Sequence, residues 1–337
     1  MENLKENNLP FVSLIIPCRN EEKFIGKCLD SLINQDYPKD KLEILVVDGM
    51  SKDKTREMVE KVKSQNSKVK IFLLDNLNKT SPYALNIGIK NAKGDVVSHL
   101  GAHAEYNKDF VSKSIKYLFE YGADCVGGIA KAMPKNDSLS ARAIALCLSN
   151  KFGGGGSFRT GVDKPVFADT AFGCFYKKEV FEKIGLFNEK MTRSQDMEFN
   201  MRLRKAGGKI LLASDIVIYY YPKSNFKDFF KHNVIDGFWT IYPLKFKVKI
   251  FSLRHLVPLF FFSVILLGII LGIFFKIFLW LLLAMLILYF VITIVVSFKI
   301  AKKEKSLILI PFLMVAFFIR HFAYGLGSFG GLIRIIV

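Results

Sequence analysis

Two short polar stretches interrupt the apolar runs of the N-terminal half, and both hold residue types that bind polar ligands. The first is Pro17-Cys18-Arg19-Asn20-Glu21-Glu22 and the second is Asp48-Gly49-Met50-Ser51-Lys52-Asp53-Lys54-Thr55. An acidic side chain in such a turn accepts hydrogen bonds from a ribose or a base N–H, and Gly49 lets the backbone turn closely. Taken singly, each is also an ordinary helix start, because Ser, Asp and Asn cap helices. Asp196 and Glu198 on their own read as first-turn residues favoured by the helix dipole. The five cysteines (Cys18, Cys28, Cys125, Cys147, Cys174) are scattered, with no CxxC pair and no Cys/His group at zinc-ligand spacing. An odd, dispersed set fits reduced thiols in a cytosolic domain.

The elements around these stretches predict where the side chains go. Phe11–Pro17, Leu42–Val47, Val69–Leu74 and Val96–Leu100 read as strands, each followed by a helical pattern. Asn20 is placed as the cap of the first helix, and Ser81-Pro82 opens another. The alternation implies an α/β fold, Rossmann-like, with a mostly parallel sheet flanked by helices. In such sheets ligands bind beyond the carboxyl ends of the strands, where both polar stretches fall. Further along, Lys151–Gly161 is a glycine-rich loop, Val166–Tyr176 a strand, and a helix starts near Asp196 and stops at Gly207-Gly208.

The formal charge of +18 has a location. Seven Lys/Arg lie between Lys223 and Arg254, and Lys299, Lys302, Lys303 and Lys305 crowd the gap between two apolar runs. Such placement suits an anionic membrane surface better than nucleic acid, which is not expected as a partner. Residues 225–255 interleave aromatic and basic residues and predict amphipathic interfacial helices. Leu256–Phe275 and Ile277–Phe298 are uncharged runs of 20 and 22 residues, each long enough to cross a bilayer. A third run over 307–330 is broken by Arg320-His321. The reading is therefore a domain over 1–224, interfacial helices over 225–255 and a membrane domain over 256–337. Basic residues after the second span, and a polar N-terminus without a signal-type apolar region, predict a multi-pass cell-membrane protein with its first domain in the cytoplasm.

The order of the motifs resembles the family-2 glycosyltransferases, which have a GT-A fold. VSLIIPCRNEEKFIGKCLDSL and VVDGMSKDKT are similar to that family's first two signatures. SPYALNIGIKNAKGDVV is similar to the segment leading to its metal site. FADTAFGCFYKKEVFEKIGLFNEKM and RSQDMEFNMRLRKAG are similar to its acceptor half. The likeness runs over about residues 10–222 and is nearest to the succinoglycan-biosynthesis type, which carries C-terminal membrane helices.

The resemblance implies inverting transfer from a nucleoside diphosphate sugar, a UDP-sugar in the first instance, to a lipid-linked glycan in cell-surface polysaccharide synthesis. Other polysaccharide-synthesis proteins are then candidate partners. Asp196 stands where the family keeps its general base, with Gln195 in the preceding acidic position. Pro17, Arg19, Glu21, Asp48, Ser51 and Asp53 fall on the nucleotide side, Lys79 and Asn86 on the approach to the diphosphate, and Arg159 after a loop that closes over the donor. Asp169, Gln195 and Trp239 fall on the acceptor side, Trp239 serving first as an interface anchor. The family's acidic metal motif is Gly101-Ala102-His103 here, which leaves His103 as the candidate ligand for Mn²⁺ or Mg²⁺. Three alternatives stay open: metal held by His103 and the diphosphate, phosphates neutralised by Lys/Arg without metal, or a catalytically silent nucleotide-sugar-binding partner. A polyprenyl phosphate is an alternative acceptor. A transporter subunit is disfavoured, because two or three spans are too few for a transporter repeat.

Overall fold

The computed structural model describes residues 9–154 and 156–336. The N-terminal residues 1–8, and Gly155 of the glycine-rich loop, lie outside the described residues. Two compact units emerge: Met1–Lys131 with Gly161–Tyr220, and Ala132–Thr160 with Tyr221–Val337.

The first unit is built on β1 (Val12–Cys18), whose residues are buried on both faces almost throughout. After α1 (Ile25–Ile33), the equally buried β2 (Leu42–Asp48) pairs with β1 in parallel. Runs of Val, Ile and Leu without alternation are what a strand covered on both sides requires. Then follow α2 (Thr55–Gln65), β3 (Lys70–Asp75) parallel to β2, α3 (Ser81–Asn91) and β4 (Val96–His99) parallel to β1. At the amino-terminal edge Ser13 Oγ donates to the buried Glu43 carboxylate at 2.6 Å, and Lys93 N donates to the same oxygen at 2.7 Å. The acid is thereby satisfied where it could not be left alone.

Next come β5 (Ala104–Tyr106), α4 (Phe110–Glu120) and β6 (Cys125–Ala132). The chain leaves for the second unit through α5 (Leu139–Leu148), α6 (Lys151–Gly154) and α7 (Ser157–Thr160). It returns as β7 (Val166–Phe167), β8 (Phe172–Lys177), α8 (Lys178–Ile184), α9 (Gln195–Lys205) and β9 (Ile210–Tyr220). Among the described residues nine strands form one sheet in the order β3-β2-β1-β4-β8-β6-β9-β5, with β7 on β9. Parallel pairing holds for β1 to β4, whereas the β4–β8, β6–β8, β5–β9 and β7–β9 pairs are antiparallel. The single strand expected over 166–176 is two strands, because β7 hydrogen-bonds β9 while β8 inserts between β4 and β6.

The second unit is helical. After the excursion through α5 to α7, it continues as α10 (Phe226–Ile241), a 3-10 turn (Tyr242–Phe246), α11 (Leu253–Phe274), α12 (Lys276–Lys303) and α13 (Leu309–Ile336). Residues 132–160 thus belong to the unit of the C-terminal helices, although they follow the sheet strands in sequence. Helices α11, α12 and α13 are long and apolar enough to cross a membrane. They differ in surroundings: 39% of the most apolar stretch of α13 is buried inside the protein, against 11% for α11 and α12. The reason is a small-residue face. A Cβ on Gly237 of α10 would lie 2.0 Å from Tyr324 O, and one on Gly327 of α13 would lie 1.9 Å from Val234 O. Glycine at both positions lets the two helix backbones touch, as small residues do between membrane helices.

Candidate active site

The two polar stretches meet at the carboxyl edge of β1 and β2 and lock together. Asn20 N donates to Ser51 Oγ at 2.8 Å and Lys52 N returns a bond to Asn20 Oδ1 at 2.9 Å. Glu21 N donates to Thr55 Oγ1 at 2.7 Å, and Lys54 N donates to Glu22 Oε2 at 3.0 Å. Asn20 is therefore a loop residue with φ of 57° and not a helix cap, and α1 starts five residues later. The strong capping preference of Asn lost here to a partner loop that the first strand's own sequence does not reveal.

Asp48, at the end of β2, is fully buried. Its carboxylate accepts Ser51 N at 3.0 Å and Arg56 Nη1 at 2.9 Å, and Arg56 continues to Asp75 at 2.8 Å. Asp53 is held by the Thr55 hydroxyl, Thr55 N and Glu22 N. Desolvation opposes ionisation of Asp53, but these hydrogen bonds outweigh it and hold the carboxyl below its usual range. Gly49 packs on Arg19, whose Cδ would lie 3.2 Å from an added Cβ. Pro17 is half-buried and Arg19 exposed at the rim.

His103 follows β4 and places Nδ1 3.4 Å from Glu21 Oε1. An exposed imidazole and a carboxylate at this spacing can share one divalent ion, which takes its remaining oxygens from a diphosphate. Among the described residues no group of three or more His, Cys, Asp or Glu could hold a metal. The residues present therefore fit an ion shared with substrate and not an all-protein cage. A Cβ at Gly101 meets nothing within 4 Å, so the place of the family's acid is open space.

The other half of the site stands on two helix starts. Gln195 Nε2 donates to Ser81 Oγ at 3.2 Å, which brings the first turn of α9 to the first turn of α3. Both helices point their positive ends at this edge, a natural seat for phosphate. Asp196 is half-buried, and its Oδ1 accepts Met197 N at 2.9 Å. Glu198 is buried and bound by Arg202 at 2.6 and 2.9 Å, and Arg202 also holds the Leu186 carbonyl. Of the two acids, Glu198 is taken up by Arg202, whereas Asp196 has no arginine partner among the described residues.

Asn86 is buried, and its side chain bonds Phe187 N, Phe187 O and Glu189. Lys79 is exposed in the turn before α3 with φ of 63°. Asp169 is half-buried between β7 and β8. Arg159 and Trp239 belong to the second unit, where Arg159 stacks over Phe158 and Trp239 meets Tyr242 edge-on.

Three residues escaped the sequence reading. His99 ends β4, stacks on Tyr176 at 5.8 Å and meets Phe187 at 5.5 Å. Burial lowers its pKa, opposed by the nearby Asp196 carboxylate. Asn76 Oδ1 and Thr80 Oγ1, in the turn leading into α3, are buried without a hydrogen-bond partner among the described residues. Buried polar atoms of this kind call for water or a bound group. Non-glycine residues at positive φ repeat the signal: Asn20, Met50, Lys79 and Ser194 all lie on this edge. Backbone strain gathers at functional sites in just this way.

The family model for Glycosyl transferase family 2 matches residues 13–185, just over half the chain, and Glycosyl transferase family group 2 matches 106–296. The chain belongs to glycosyltransferase family 2. This family-2 glycosyltransferase is 35% identical over 232 residues to a Methanococcus voltae enzyme, dolichyl N-acetyl-alpha-D-glucosaminyl phosphate 3-beta-D-2,3-diacetamido-2,3-dideoxy-beta-D-glucuronosyltransferase. That match covers 67% of this chain and 72% of the relative. It is 26% identical to the succinoglycan biosynthesis protein ExoA of Rhizobium meliloti, covering 68% of this chain and 74% of that protein. Among solved structures, the mannosyltransferase PcManGT of Pyrobaculum calidifontis, in complex with GDP-Man and Mn²⁺, aligns with a TM-score of 0.53 at 22% identity. That alignment covers 68% of this chain but only 63% of the other, under two thirds, and supports the GT-A fold.

Proposed function

We propose that this glycosyltransferase moves a sugar from a nucleoside diphosphate sugar, a UDP-sugar in the first instance, onto a lipid-linked glycan with inversion, at the cytoplasmic face of the cell membrane. The observation that carries the reading is the pairing of one available carboxylate, Asp196, with two converging helix starts at the edge where the β1 and β2 loops interlock. In this reading the β1 and β2 loops hold the nucleoside through Glu21, Asp53 and the backbone they order. The α3 and α9 starts face the diphosphate and stabilise the charge that grows as it leaves. Asp196 takes the proton from an acceptor hydroxyl. That oxygen bonds the anomeric carbon from the face opposite the breaking carbon–oxygen bond, and the nucleoside diphosphate departs with the bonding electrons. His99 stays neutral beside Asp196 and limits the ring space around it. A divalent ion held by His103 and Glu21 would supply further positive charge against the leaving group. The Methanococcus relative, whose name specifies a dolichyl-phosphate-linked substrate, supports a lipid-linked acceptor, and the Lys299–Lys305 cluster supports the orientation.

The test is incubation of membranes containing the protein with radiolabelled UDP-sugars. The expected result is label in the organic-extractable lipid fraction, with an anomeric configuration opposite to that of the donor. Retained configuration, or label released only to water, contradicts the proposal.

A further inference from the structure

Arg320 and His321 interrupt the third apolar helix, and the transfer chemistry uses neither. Arg320 lies eleven residues into α13, about 16 Å along its axis. Its Nε donates to Gly153 O at 2.9 Å, its Nη1 donates to Asn233 Oδ1, and its guanidinium lies 5.0 Å over the Tyr324 ring. His321 bonds Phe152 O at 2.7 Å and the Tyr289 hydroxyl at 3.0 Å. The acceptors around Arg320 are thus a carbonyl, an amide and a ring, all neutral. Among the described residues no carboxylate pairs with it. Asp236, one turn along α10 from Asn233, faces His232 at 3.4 Å. A second cation adds to the same field: burial pushes the Cys147 thiol up to about 12, and Arg320 and Arg159 both pull it back.

A cation held among apolar helices without a directly bonded carboxylate is costly, and such groups in membrane segments mark ligand sites. Arginine's planar fork favours phosphate. Helices α11 and α12 pack against the same helix α13 and expose large apolar side chains such as Leu267, Ile273 and Trp280, a surface that suits a hydrocarbon chain and not a free ion.

We propose that Arg320, oriented by Asn233 and the Gly153 carbonyl, binds the phosphate of the long-chain isoprenyl lipid that carries the acceptor. This rests on the lipid-linked reading above, but the binding needs no donor sugar and can be measured alone. The experiment uses the full chain in detergent with a fluorescent long-chain isoprenyl monophosphate, competed by the unlabelled lipid, by isoprenol, by inorganic phosphate and by phosphatidic acid. Arg320→Gln removes the charge. Asn233→Asp keeps the shape and supplies an internal counter-ion, so its melting temperature should hold while lipid binding falls. Both variants should lose about ten- to a hundred-fold in affinity, the scale of a charge-assisted hydrogen bond, with UDP binding unchanged. Isoprenol and inorganic phosphate should compete weakly. Wild-type affinity in both variants overturns the site. Equal competition by phosphatidic acid overturns the assignment to the acceptor lipid, since any bilayer phosphate would then serve. Arg320-dependent lipid binding without sugar transfer to lipid leaves this site standing and removes the proposed function instead.

Discussion

Gly101→Asp should strengthen metal-dependent nucleotide binding. The family's acid is absent at this position, yet the place it would occupy is empty: a Cβ meets nothing within 4 Å, and the glycine is not at positive φ. The substitution therefore meets no steric barrier, and Gly101→Ala should fold as well as the wild type. The added carboxylate joins His103 and Glu21, which already stand 3.4 Å apart. One further charged ligand is worth about 1.5–3 kcal/mol, roughly ten- to a hundred-fold in the Mn²⁺ concentration at half-effect. Isothermal titration of UDP into the detergent-solubilised protein across a Mn²⁺ series reads this directly, with Gly101→Ala as the control. An unchanged Mn²⁺ midpoint in Gly101→Asp would refute the assignment of His103 and Glu21 to an ion site. A loss of folding in Gly101→Ala would refute the claim that the position is open.

Five other outcomes follow. Asp48→Asn should destabilise the first unit by about 2–4 kcal/mol in a denaturant titration, because charge-assisted bonds to a fully buried carboxylate are lost, and UDP binding should weaken with the β2 loop. Glu198→Gln should lower the melting temperature through the loss of its Arg202 pairing, yet leave the pH profile of transfer unchanged. His99, with its pKa lowered in the fold from an ordinary 6.5, binds fewer protons folded than unfolded, so stability should fall as pH drops below about 6.5, and His99→Gln should flatten that slope. Asp53 acts in the same direction at lower pH: its depressed carboxyl contributes stability above its unfolded value, which is lost as pH falls below about 4. All five native cysteines are buried, so Lys305→Cys gives a single labelling site; impermeant maleimide should react with it only in inside-out vesicles.

How much of this was legible in the sequence depends on whether the cause was local. The buried runs of β1 and β2 announced a parallel sheet, and the paired clusters at their ends marked its functional edge. The apolar lengths of α11 and α12 needed no tertiary information. Asn20 misled because a cap and an interlocked loop use the same side chain, and the choice depends on Ser51 and Lys52 from the next crossover. The departure of residues 132–160 into the helical unit was hidden because α5 is a short apolar helix like many sheet-covering ones. His99 read as a strand residue, and only the fold shows that β4 ends beside Asp196. Asn76 and Thr80 carried no sequence signal of their own; only the fold shows their oxygens buried without partners among the described residues. By residue type alone Glu198 and Asp196 were equivalent; the family resemblance singled out Asp196, and the fold shows Arg202 claiming Glu198.

The central claim is that Asp196 is the base of a sugar transfer at this edge. Its most direct test is the turnover of Asp196→Asn with a lipid-phosphate acceptor, measured alongside its UDP affinity. The account predicts that turnover falls by about 10²–10⁴-fold, the usual contribution of a general base, while UDP binds as in the wild type. Full turnover in Asp196→Asn, or a loss confined to UDP binding, would contradict it.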